Sequence, residues 1–383
     1  MSKKYLFVIN SFLAGGAERS LLELLPEFVE HGVTPIIAAL QYKDVGFEEE
    51  VREAGFDVRL MPDGGRLTKI RALRKLIKDE EPDLVYTSLF DADLAGRLAA
   101  IGVGVPVMTC LVNTAYDPAR LADPGIDTKR LKVVQTIDGF TARHLTDHFH
   151  AISDAVKDST VETLGVKPEN VTVVKRGRNT ERLGDASPER RSSARATLGL
   201  DDDVPVAVTV GRQEYQKGQI YLVEAFAGVM KKIPDAKLLV VGREGHFTQR
   251  LADLVARLDL AASVELLGHR SDVPDLLAAA DLFVFPSLYE GLGGALVEAI
   301  ALALPVVASD IPALREVVRE GENALLVPPR DVAGLEAAML KLFDDDELRH
   351  RYGTRSRELF EAEFKVEDAS KALMALLTSV AKA

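Results

Sequence analysis

Short apolar runs alternate with longer amphipathic stretches along the whole chain. Because strands of a parallel sheet are buried on both faces and joined by helices, this alternation predicts helix-covered parallel sheets. In the first half the predicted strands are Tyr5–Ile9, Pro35–Leu40, Val58–Leu60, Asp83–Tyr86, Pro106–Thr109, His150–Ile152 and Val171–Val174. In the second half they are Val206–Val210, Lys237–Val241, Val264–Leu267, Leu282–Phe285, Pro305–Ala308 and Ala324–Val327. The pattern predicts an α/β protein with two sheets.

A polar segment separates the two sets of strands. Residues 181–203 are rich in Arg, Ser, Asp and Ala and lack strand periodicity, which indicates an interdomain linker with room for one short helix. We predict Rossmann-like domains in residues 1–180 and 204–365. A C-terminal helix in residues 366–383 is also predicted, and its packing on either domain, including the first, stays open. Two such sheets would face each other across a cleft at their carboxyl ends, where open α/β sheets bind ligands.

Composition excludes several classes of protein. A net charge of -12 argues against a general nucleic-acid binder, and an aromatic content of 6% without tryptophan argues against base-stacking platforms. Cys110 is the only cysteine, which excludes an internal disulfide and fits a reducing cytoplasm. The first apolar run stops at Asn10, and no run reaches the roughly 18 residues that indicate a membrane span. These features predict a cytoplasmic protein.

The segment that follows the strand Leu282–Phe285 carries the strongest chemical signal. A turn there contains Glu290, and glycines precede a helix predicted to begin near Gly294. Glycine lets the backbone approach a ligand, and the free N–H groups at a helix start favour phosphate. Glu298, about one turn into the helix, suits a ribose diol. The alternative is a glycine-rich turn with two solvated glutamates.

A second loop strengthens the phosphate interpretation. The strand Val206–Val210 is followed by Arg212 and Lys217, five residues apart. Arginine clamps phosphate bidentately and lysine acts as a point charge, so the pair suits a diphosphate. Both would neutralise charge on a leaving diphosphate without a metal. Alone, such a pair is usually a solvated loop pair, but a glycine turn in the same sheet favours the functional interpretation.

Four motifs in the second half occur together in a characteristic order. They are Gly-Arg-x4-Lys-Gly from Gly211, Leu267-Gly268-His269-Arg270-x-Asp272-Val273, Pro286-Ser287-x2-Glu290-Gly291-x6-Glu298-Ala299 and Pro305-Val306-Val307-Ala308-Ser309. This half closely resembles family 4 of the retaining GT-B glycosyltransferases. The first half resembles the family more loosely, through Gly15-Gly16-Ala17-Glu18-Arg19 and His150-Ala151-Ile152-Ser153-Asp154.

The resemblance implies an activity and a set of residues. A hexosyltransferase-type enzyme would move a sugar from a nucleoside diphosphate sugar, its co-substrate, to a hydroxyl-bearing acceptor, with no cofactor or metal. Front-face displacement is implied, in which the departing phosphate takes the acceptor proton. Arg212 and Lys217 would hold the diphosphate, Glu290 the transferred sugar and Glu298 the ribose. The other donor-site candidates are Gly294, Ala295 and Leu296 at the phosphate, Gly242, Arg243, Gly268, His269 and Arg270 beside the base, and Gly15 and Gly16 from the first half.

The sequence departs from the family pattern at one position. Family members often have a histidine after the strand equivalent to Pro106–Thr109, whereas this chain continues to Asn113 and Thr114 without one. Either the acceptor geometry differs or catalysis is impaired, and the intact donor motifs favour the first. The acceptor-side candidates are Asn113, Thr114 and Asp91, while Asp93 is interpreted as a helix N-cap. No metal site is predicted, since the histidines lack a fourth ligand: His144, His148 and His150.

Other functions and a membrane contact stay open. The alternative functions are a catalytically silent, sugar-nucleotide-binding regulatory subunit and a GT-B nucleotide-sugar epimerase. Residues 66–78 predict an amphipathic helix with six cations among thirteen residues. Packing of its apolar stripe on the sheet is the favoured interpretation; the alternative is peripheral docking on the anionic inner membrane face, near a lipid-linked acceptor. The nucleotide base, the sugar, the acceptor and the oligomeric state do not follow from the sequence.

Overall fold

The structure is a computed structural model that describes residues 3–13, 15–43 and 46–382. The chain divides into two compact units. The first unit comprises the residues up to Tyr116, Asp127–Arg178 and the residues from Val366 onward. The second unit comprises Asp117–Ile126 and Asn179–Lys365. Each unit is built on its own sheet.

The first unit contains a seven-stranded parallel sheet in the order β3-β2-β1-β4-β5-β6-β7. Its strands are β1 Lys3–Ile9, β2 Val33–Ala39, β3 Asp57–Leu60, β4 Leu84–Ser88, β5 Val107–Leu111, β6 His148–Ala151 and β7 Val171–Val173. Its helices are α1 Gly16–Glu30, α2 Glu48–Glu53, α3 Arg66–Glu80, α4 Phe90–Ala100, α6 Thr128–Leu145, α7 Asp154–Leu164 and α17 Val366–Val380, with a 3-10 turn at Pro168–Asn170.

The second unit contains a six-stranded parallel sheet in the order β10-β9-β8-β11-β12-β13. Its strands are β8 Val206–Val210, β9 Lys237–Val241, β10 Val264–Gly268, β11 Leu282–Phe285, β12 Val306–Ser309 and β13 Ala324–Val327. Its helices are α5 Pro118–Leu121, α8 Thr180–Leu183, α9 Pro188–Thr197, α10 Gln219–Lys232, α11 Thr248–Arg257, α12 Val273–Ala279, α13 Gly294–Ala301, α14 Pro312–Arg315, α15 Val332–Asp344 and α16 Asp346–Glu363, with a 3-10 turn at Tyr215–Lys217.

The strand positions follow directly from the apolar runs. The central strands are buried almost throughout, as in β1 and β11, because helices cover both faces of a parallel sheet. Each predicted strand is present, with bounds that differ by at most two residues. The predicted fold class, α/β with two Rossmann-like domains, is confirmed.

Residues 181–203, which the sequence analysis assigns to a linker, belong to the second unit. Ser187 caps α9 by accepting a hydrogen bond from the Arg190 N–H at 3.3 Å. Arg191 on the same helix lies 2.6 Å from Asp281, just before β11. Arg195 is fully buried, with Nη2 lying 3.7 Å from the other oxygen of Asp281. The segment is therefore a packed helix, anchored by arginines that composition alone does not distinguish from solvated ones.

The helix α17 lies in the first unit, although it follows the second unit in sequence. Leu373 and Leu377 are buried, and the Lys382 N–H donates to the Asp83 carbonyl at 3.0 Å. Lys3 Nζ lies 3.0 Å from the Lys382 carbonyl oxygen. The sequence analysis left open which domain this helix packs on, and in the structure it packs within the first unit.

The helix α3 uses its apolar stripe mainly for packing. Leu73 and Ile77 are buried, and Arg74 donates to the Ala99 and Ile101 carbonyls at 3.0 and 2.5 Å. Among its large apolar side chains only Leu67 is mostly exposed, at 69%. In the described part of the chain, no helix combines the length and the apolar character needed to cross a bilayer.

Candidate functional site

The candidate donor residues lie in loops at the carboxyl edge of the second sheet, and hydrogen bonds join these loops. The Leu288 N–H, after β11, donates to the Gln216 carbonyl, after β8, at 2.7 Å. The Gln216 side chain returns a hydrogen bond to the Tyr289 carbonyl at 2.8 Å. These contacts fix the loop that contains Lys217 against the turn that contains Glu290.

The loops after β8, β9 and β10 are joined in the same way. The Gly242 N–H donates to the Gly268 carbonyl at 2.8 Å, and the Gln213 N–H donates to the Arg243 carbonyl at 3.1 Å. Gly242 has a φ of 141°, and a Cβ there would lie 2.1 Å from the Gly211 carbonyl oxygen. Only glycine permits this approach. The site candidates Gly242, Arg243 and Gly268 are therefore adjacent to the loop of Arg212.

Lys217 and Glu290 form an ion pair across the two central loops. Lys217 Nζ lies 2.5 Å from Glu290 Oε1, and the side chains are only 16% and 8% exposed. Lys217 Nζ also lies 5.1 Å from the centroid of the Phe285 ring. A close ion pair this poorly solvated keeps its geometry, so the cation and the carboxylate are pre-positioned at the edge of the sheet.

The side chain of Arg212 is less constrained than that of Lys217. Its side chain is 45% exposed, and its Nη1 lies 3.9 Å from Glu214 Oε1. An ion pair at that distance and exposure contributes little stability. The guanidinium is therefore able to reorient toward an anion at small energetic cost.

The helix α13 begins at Gly294 and has no side-chain cap. Its N-cap, Gly293, has a φ of 90°, a conformation that glycine adopts readily. The candidates Gly294, Ala295 and Leu296 form the first turn, whose N–H groups have no partner within the helix. In the turn that follows β11, Ser287 is fully buried, and its Oγ has no hydrogen-bond partner among the described residues. Such a helix start is suited to an anion.

Glu298 on α13 is paired with an arginine that the sequence analysis does not include. Arg182 Nη2, on α8, donates to Glu298 Oε1 at 2.8 Å. Asn179 caps α8 by accepting the Arg182 N–H at 3.0 Å, which fixes where the arginine leaves the helix. The sequence signal available was this Asn-x-x-Arg pattern, which spans the boundary between the predicted first domain and the predicted linker.

The remaining second-unit candidates lie farther along the edge. Arg270 makes a bidentate pair with Asp272 at 2.8 and 2.5 Å, and the hydrogen bond from Arg270 is the main cause that lowers the pKa of this carboxyl group. His269 is exposed. Nearer the centre, burial raises the pKa of Tyr289 to about 12, against an opposing effect of Arg120. Residues 117–126 thus contribute charge beside the turn of Glu290, which the sequence analysis missed.

Five candidates lie in the first unit. Gly15 precedes α1 and Gly16 begins it, with the Gly16 carbonyl accepting a hydrogen bond from Arg176 at 3.3 Å. After β5, Asn113 is exposed, while Thr114 is buried and its Oγ1 has no hydrogen-bond partner among the described residues. The Asp91 side chain is half-exposed and pairs with Arg66 at 2.9 Å. All five lie at or just after the carboxyl ends of their strands.

The interpretation of Asp93 as an N-cap is wrong. The N-cap of α4 is Leu89, without a side-chain cap, and Asp93 is buried one turn into the helix. Burial raises the pKa of Asp93 to about 8, against the opposing charge of Arg97 and with a further upward effect from Asp138. Arg97 is itself buried and lies 2.7 Å from Asp138. An aspartate near a predicted helix start is ambiguous in sequence, because a shift of the helix start by a few residues decides whether the side chain caps the helix or is buried.

A cluster of titratable side chains lines a cavity at the carboxyl edge of the first sheet, and the sequence analysis missed it. His150 Nδ1 lies 2.7 Å from Tyr86 Oη and 3.6 Å from Cys110 Sγ, while Nε2 lies 2.9 Å from the Val174 carbonyl oxygen. Arg176 Nη2 lies 3.9 Å from the sulfur. Burial of the thiol is outweighed by these neighbours, which lower the pKa of Cys110 to about 6.

The three histidines considered as metal ligands have separate partners. His148 Nε2 lies 2.8 Å from Thr172 Oγ1, His150 belongs to the cluster with Tyr86, and the His144 ring contacts that of Phe140 at a tilt of 53°. Across residues 3–13, 15–43 and 46–382, no group of three or more His, Cys, Asp or Glu side chains is arranged to hold a metal ion.

Two family models match the chain, one in each half. Residues 190–359 match the family model described as glycosyl transferases group 1, and residues 14–182 match the one described as glycosyltransferase family 4. The alpha-maltose-1-phosphate synthase of Mycolicibacterium smegmatis is 30% identical, over 78% of this chain and 79% of that protein. This chain belongs to the family 4 glycosyltransferases. The resemblance seen in the motifs of the second half is thereby confirmed, and so is glycosyltransferase activity as the general function.

Other relatives of this family 4 glycosyltransferase extend the comparison. The UDP-Gal:alpha-D-GlcNAc-diphosphoundecaprenol alpha-1,3-galactosyltransferase of Escherichia coli is 29% identical, over 72% of this chain and 70% of that protein. The crystal structure of Anabaena HepE in complex with UDP-glucose aligns with a TM-score of 0.86 at 23% identity, over 98% of this chain and 99% of that one. At that identity the second comparison shows that the family 4 glycosyltransferase has the GT-B fold.

Proposed function

We propose that this glycosyltransferase moves a hexosyl group from a nucleoside diphosphate hexose to a hydroxyl acceptor, with retention of anomeric configuration and without a divalent metal. The observation that carries the proposal is the Lys217–Glu290 ion pair, four residues before the uncapped start of α13. It places a cation, a carboxylate and free N–H donors within one stretch of the sheet edge. A diphosphate joined to a sugar needs these three kinds of group.

Binding of the diphosphate is assigned to three positive elements. Lys217 supplies a fixed charge, Arg212 an adjustable bidentate clamp, and the first turn of α13 aligned N–H groups. Negative charge grows on the diphosphate as the bond to the sugar breaks, so these groups stabilise the transition state more than the bound substrate.

The sugar and the ribose are assigned to the two glutamates. The charge of Glu290 is already balanced by Lys217, which leaves its oxygens able to accept hydrogen bonds from sugar hydroxyls. Glu298, held by Arg182, is assigned to the ribose diol. Arg182 acts as a positioning residue in this scheme, because it touches the glutamate rather than the substrate.

The chemical step follows from the family resemblance. The bond between the anomeric carbon and the diphosphate oxygen breaks, and the acceptor oxygen bonds to the same face of that carbon. The acceptor proton passes to the departing phosphate oxygen, so atoms and charge balance without a protein nucleophile. No carboxylate pair of the kind that retaining glycosidases use is then needed.

The names of the relatives guide the choice of first substrates. The Escherichia coli enzyme is named for UDP-galactose and a diphosphoundecaprenol-linked acceptor, and the Anabaena structure contains UDP-glucose. A relative from Corynebacterium glutamicum, 34% identical over 53% of this chain, is named a GDP-mannose-dependent enzyme. Uridine diphosphate hexoses are therefore the first donors to test, with GDP-mannose beside them and lipid-linked sugars among the acceptors.

Thermal shift against nucleoside diphosphates and their hexoses tests donor binding. A ligand at 100 times its dissociation constant stabilises the fold by about 2.7 kcal/mol. We expect Arg212→Ala to lose most of that shift and Lys231→Ala, an exposed lysine on α10, to keep it. No shift with any donor in the wild type would contradict the proposal.

Activity assays with the donor that binds distinguish a transferase from a regulatory subunit and from an epimerase. Transfer to an acceptor, or slow donor hydrolysis, supports the transferase. Binding without either reaction, in the presence of a full acceptor panel, would indicate a regulatory subunit. Conversion of the free donor into its epimer would indicate an epimerase. An α-linked product from an α-linked donor, read by NMR, tests retention.

A further inference from the structure

The helix α6 presents an apolar stripe to solvent. Val133, Ile137 and Phe140 are 59%, 42% and 58% exposed. Their spacing of four and three residues places them on one face of the helix. The ring of the exposed His144, one turn further, lies 4.8 Å from that of Phe140 and extends the stripe. Three large apolar side chains in a row are more than the scattered single exposures that are normal on a protein surface.

The opposite face of α6 already forms part of the core of the first unit. Its buried residues are Leu131, Asp138, Gly139, Thr141 and Ala142. Gln135 donates to the Thr163 carbonyl at 2.9 Å, and Arg143 Nη1 lies 2.5 Å from the Leu164 carbonyl oxygen, which ties the helix to α7. The rotation of α6 about its axis is therefore fixed, and the apolar stripe is not a core face turned outward.

Exposed cations flank the stripe, in contrast to the acidic chain as a whole. They are Lys129, Arg130 and Lys132. The only acidic residue within α6, Asp138, is buried and paired with Arg97 at 2.7 Å. On the neighbouring α7, Asp158 and Glu162 are exposed, so the positive surface is confined to α6. A net charge of -12 over the chain makes a cationic face of this kind a local feature.

We propose that α6 lies on an anionic lipid bilayer, with Val133, Ile137 and Phe140 inserted at the boundary between headgroups and acyl chains. The flanking lysines and Arg130 would then contact acidic headgroups. An apolar stripe edged by cations is the arrangement that binds such an interface, and its charge complements an acidic lipid surface. The binding does not depend on the donor site, so it stands or falls separately from the proposed activity.

This surface differs from the one that the sequence analysis considered. There the cationic helix was α3, but its buried Leu73 and Ile77 and the hydrogen-bonded Arg74 serve packing within the first unit. The helix α6 differs from α3 because its apolar stripe is exposed to solvent. A separate, buried face of α6 packs against the first unit.

Tryptophan fluorescence of the full-length chain tests insertion. The chain contains no tryptophan, so Phe140→Trp introduces a single reporter on the stripe. With vesicles of phosphatidylcholine and phosphatidylglycerol we expect a blue shift of its emission and quenching by brominated lipid. Val29→Trp, at another exposed apolar position in the first unit, is the matched control and should show neither. Unchanged Phe140→Trp emission would overturn the proposal.

Vesicle sedimentation tests the charge contribution. Each cation near an acidic surface is worth about a fivefold change in binding, and Lys129→Glu with Lys132→Glu reverses two, so we expect at least a tenfold loss. Lys231→Glu with Lys232→Glu makes the same charge change on α10 and should leave binding intact, as should Arg71→Glu with Lys78→Glu on α3. Equal binding of the α6 variant and the wild type would contradict the proposal.

Two further outcomes would also overturn it. Equal binding of the wild type to pure phosphatidylcholine would remove the role of the cations. Self-association in sedimentation velocity that Ile137→Ser with Phe140→Ser abolishes, without vesicle binding, would identify the stripe as a contact between copies of the chain. All substituted residues are exposed, so an unchanged circular dichroism spectrum should accompany each variant.

Discussion

Arg182 and Glu298 lie 2.8 Å apart, although 116 residues separate them in the chain. The carboxylate that the family resemblance assigns to the donor ribose therefore also accepts a hydrogen bond from an arginine. A ribose diol at Glu298 must share this carboxylate with Arg182 or take over one of its oxygens. Arg182 thus orients the Glu298 carboxylate. It also determines how much free energy is lost when a ribose diol displaces its hydrogen bond.

Replacement of either partner should affect catalysis differently. Glu298→Ala removes the direct contact and should lower kcat/KM by roughly tenfold to a few hundredfold, or about 2–4 kcal/mol. Arg182→Gln leaves the glutamate present but less ordered, so we expect a higher KM for the donor and a kcat within about threefold of the wild type. Steady-state kinetics measures both, with the exposed Glu224→Ala on α10 as the control. Near-native turnover of Glu298→Ala would refute the assignment.

Arg212 and Lys217, the two cations assigned to the diphosphate, should differ in how their substitution affects the stability of the fold. Arg212 is half exposed and weakly paired, so Arg212→Ala should reduce the rate at least tenfold and leave the melting temperature unchanged. Lys217→Ala should reduce both, because it leaves the buried Glu290 carboxylate without its counter-charge. Lys217→Met with Glu290→Gln should recover the stability but not the rate. Full activity of Arg212→Ala would contradict its role at the diphosphate.

Transfer should continue in the presence of a chelator. The positive charge at the diphosphate is assigned to Arg212, Lys217 and the start of α13, so a divalent cation is not required for the departure of the leaving group. We expect the rate in EDTA to stay within about twofold of the untreated rate. A complete loss that magnesium or manganese restores would show that the three protein groups are insufficient.

Asp93 should make the first unit less stable as the pH rises. Its pKa is about 8 in the folded chain against an ordinary value of 3.8, so the folded state keeps a proton that the unfolded state releases. This contribution is fully present below about pH 4 and is lost as the pH rises toward 8. Asp93→Asn cannot titrate, so its stability relative to the wild type should increase between pH 5 and 8, by on the order of a few kcal/mol.

Denaturant unfolding at several pH values measures this difference. Asp91→Asn, two residues earlier on the same helix and with a half-exposed side chain, is the matched control and should track the wild type more closely. A constant stability difference between Asp93→Asn and the wild type across this range would show that the Asp93 carboxyl group does not keep its proton on folding.

The sheets were predictable because their strands are buried on both faces. A short run of apolar residues such as Leu282–Phe285, bounded by turn residues, indicates a buried strand, and β11 has those bounds. The glycine turn and the start of α13 followed for the same reason, since glycine spacing and a strand end constrain the backbone locally. The assignment of donor contacts to individual residues of this turn stays a prediction.

Pairings between distant segments were not predictable. The Arg182–Glu298 pair and the burial of Arg195 depend on where α8 and α9 pack. Composition does not distinguish such paired or buried arginines from solvated ones. The burial of Asp93 depends on one turn of helix position, which capping rules do not resolve. The exposed apolar stripe of α6 was also not predicted, because a periodic apolar pattern normally indicates a helix face that is buried in the core.

The location of α17 constrains how the polypeptide is made. This helix completes the first unit, yet the ribosome adds it only after residues 179–365. At about 5–20 residues per second, the N-terminal sheet waits roughly 10–40 s for Leu373 and Leu377 to cover α1, long enough for chaperones to recognise the uncovered apolar surface. A released chain that ends at Lys365 should therefore contain the whole second unit but leave the apolar surface of α1 uncovered.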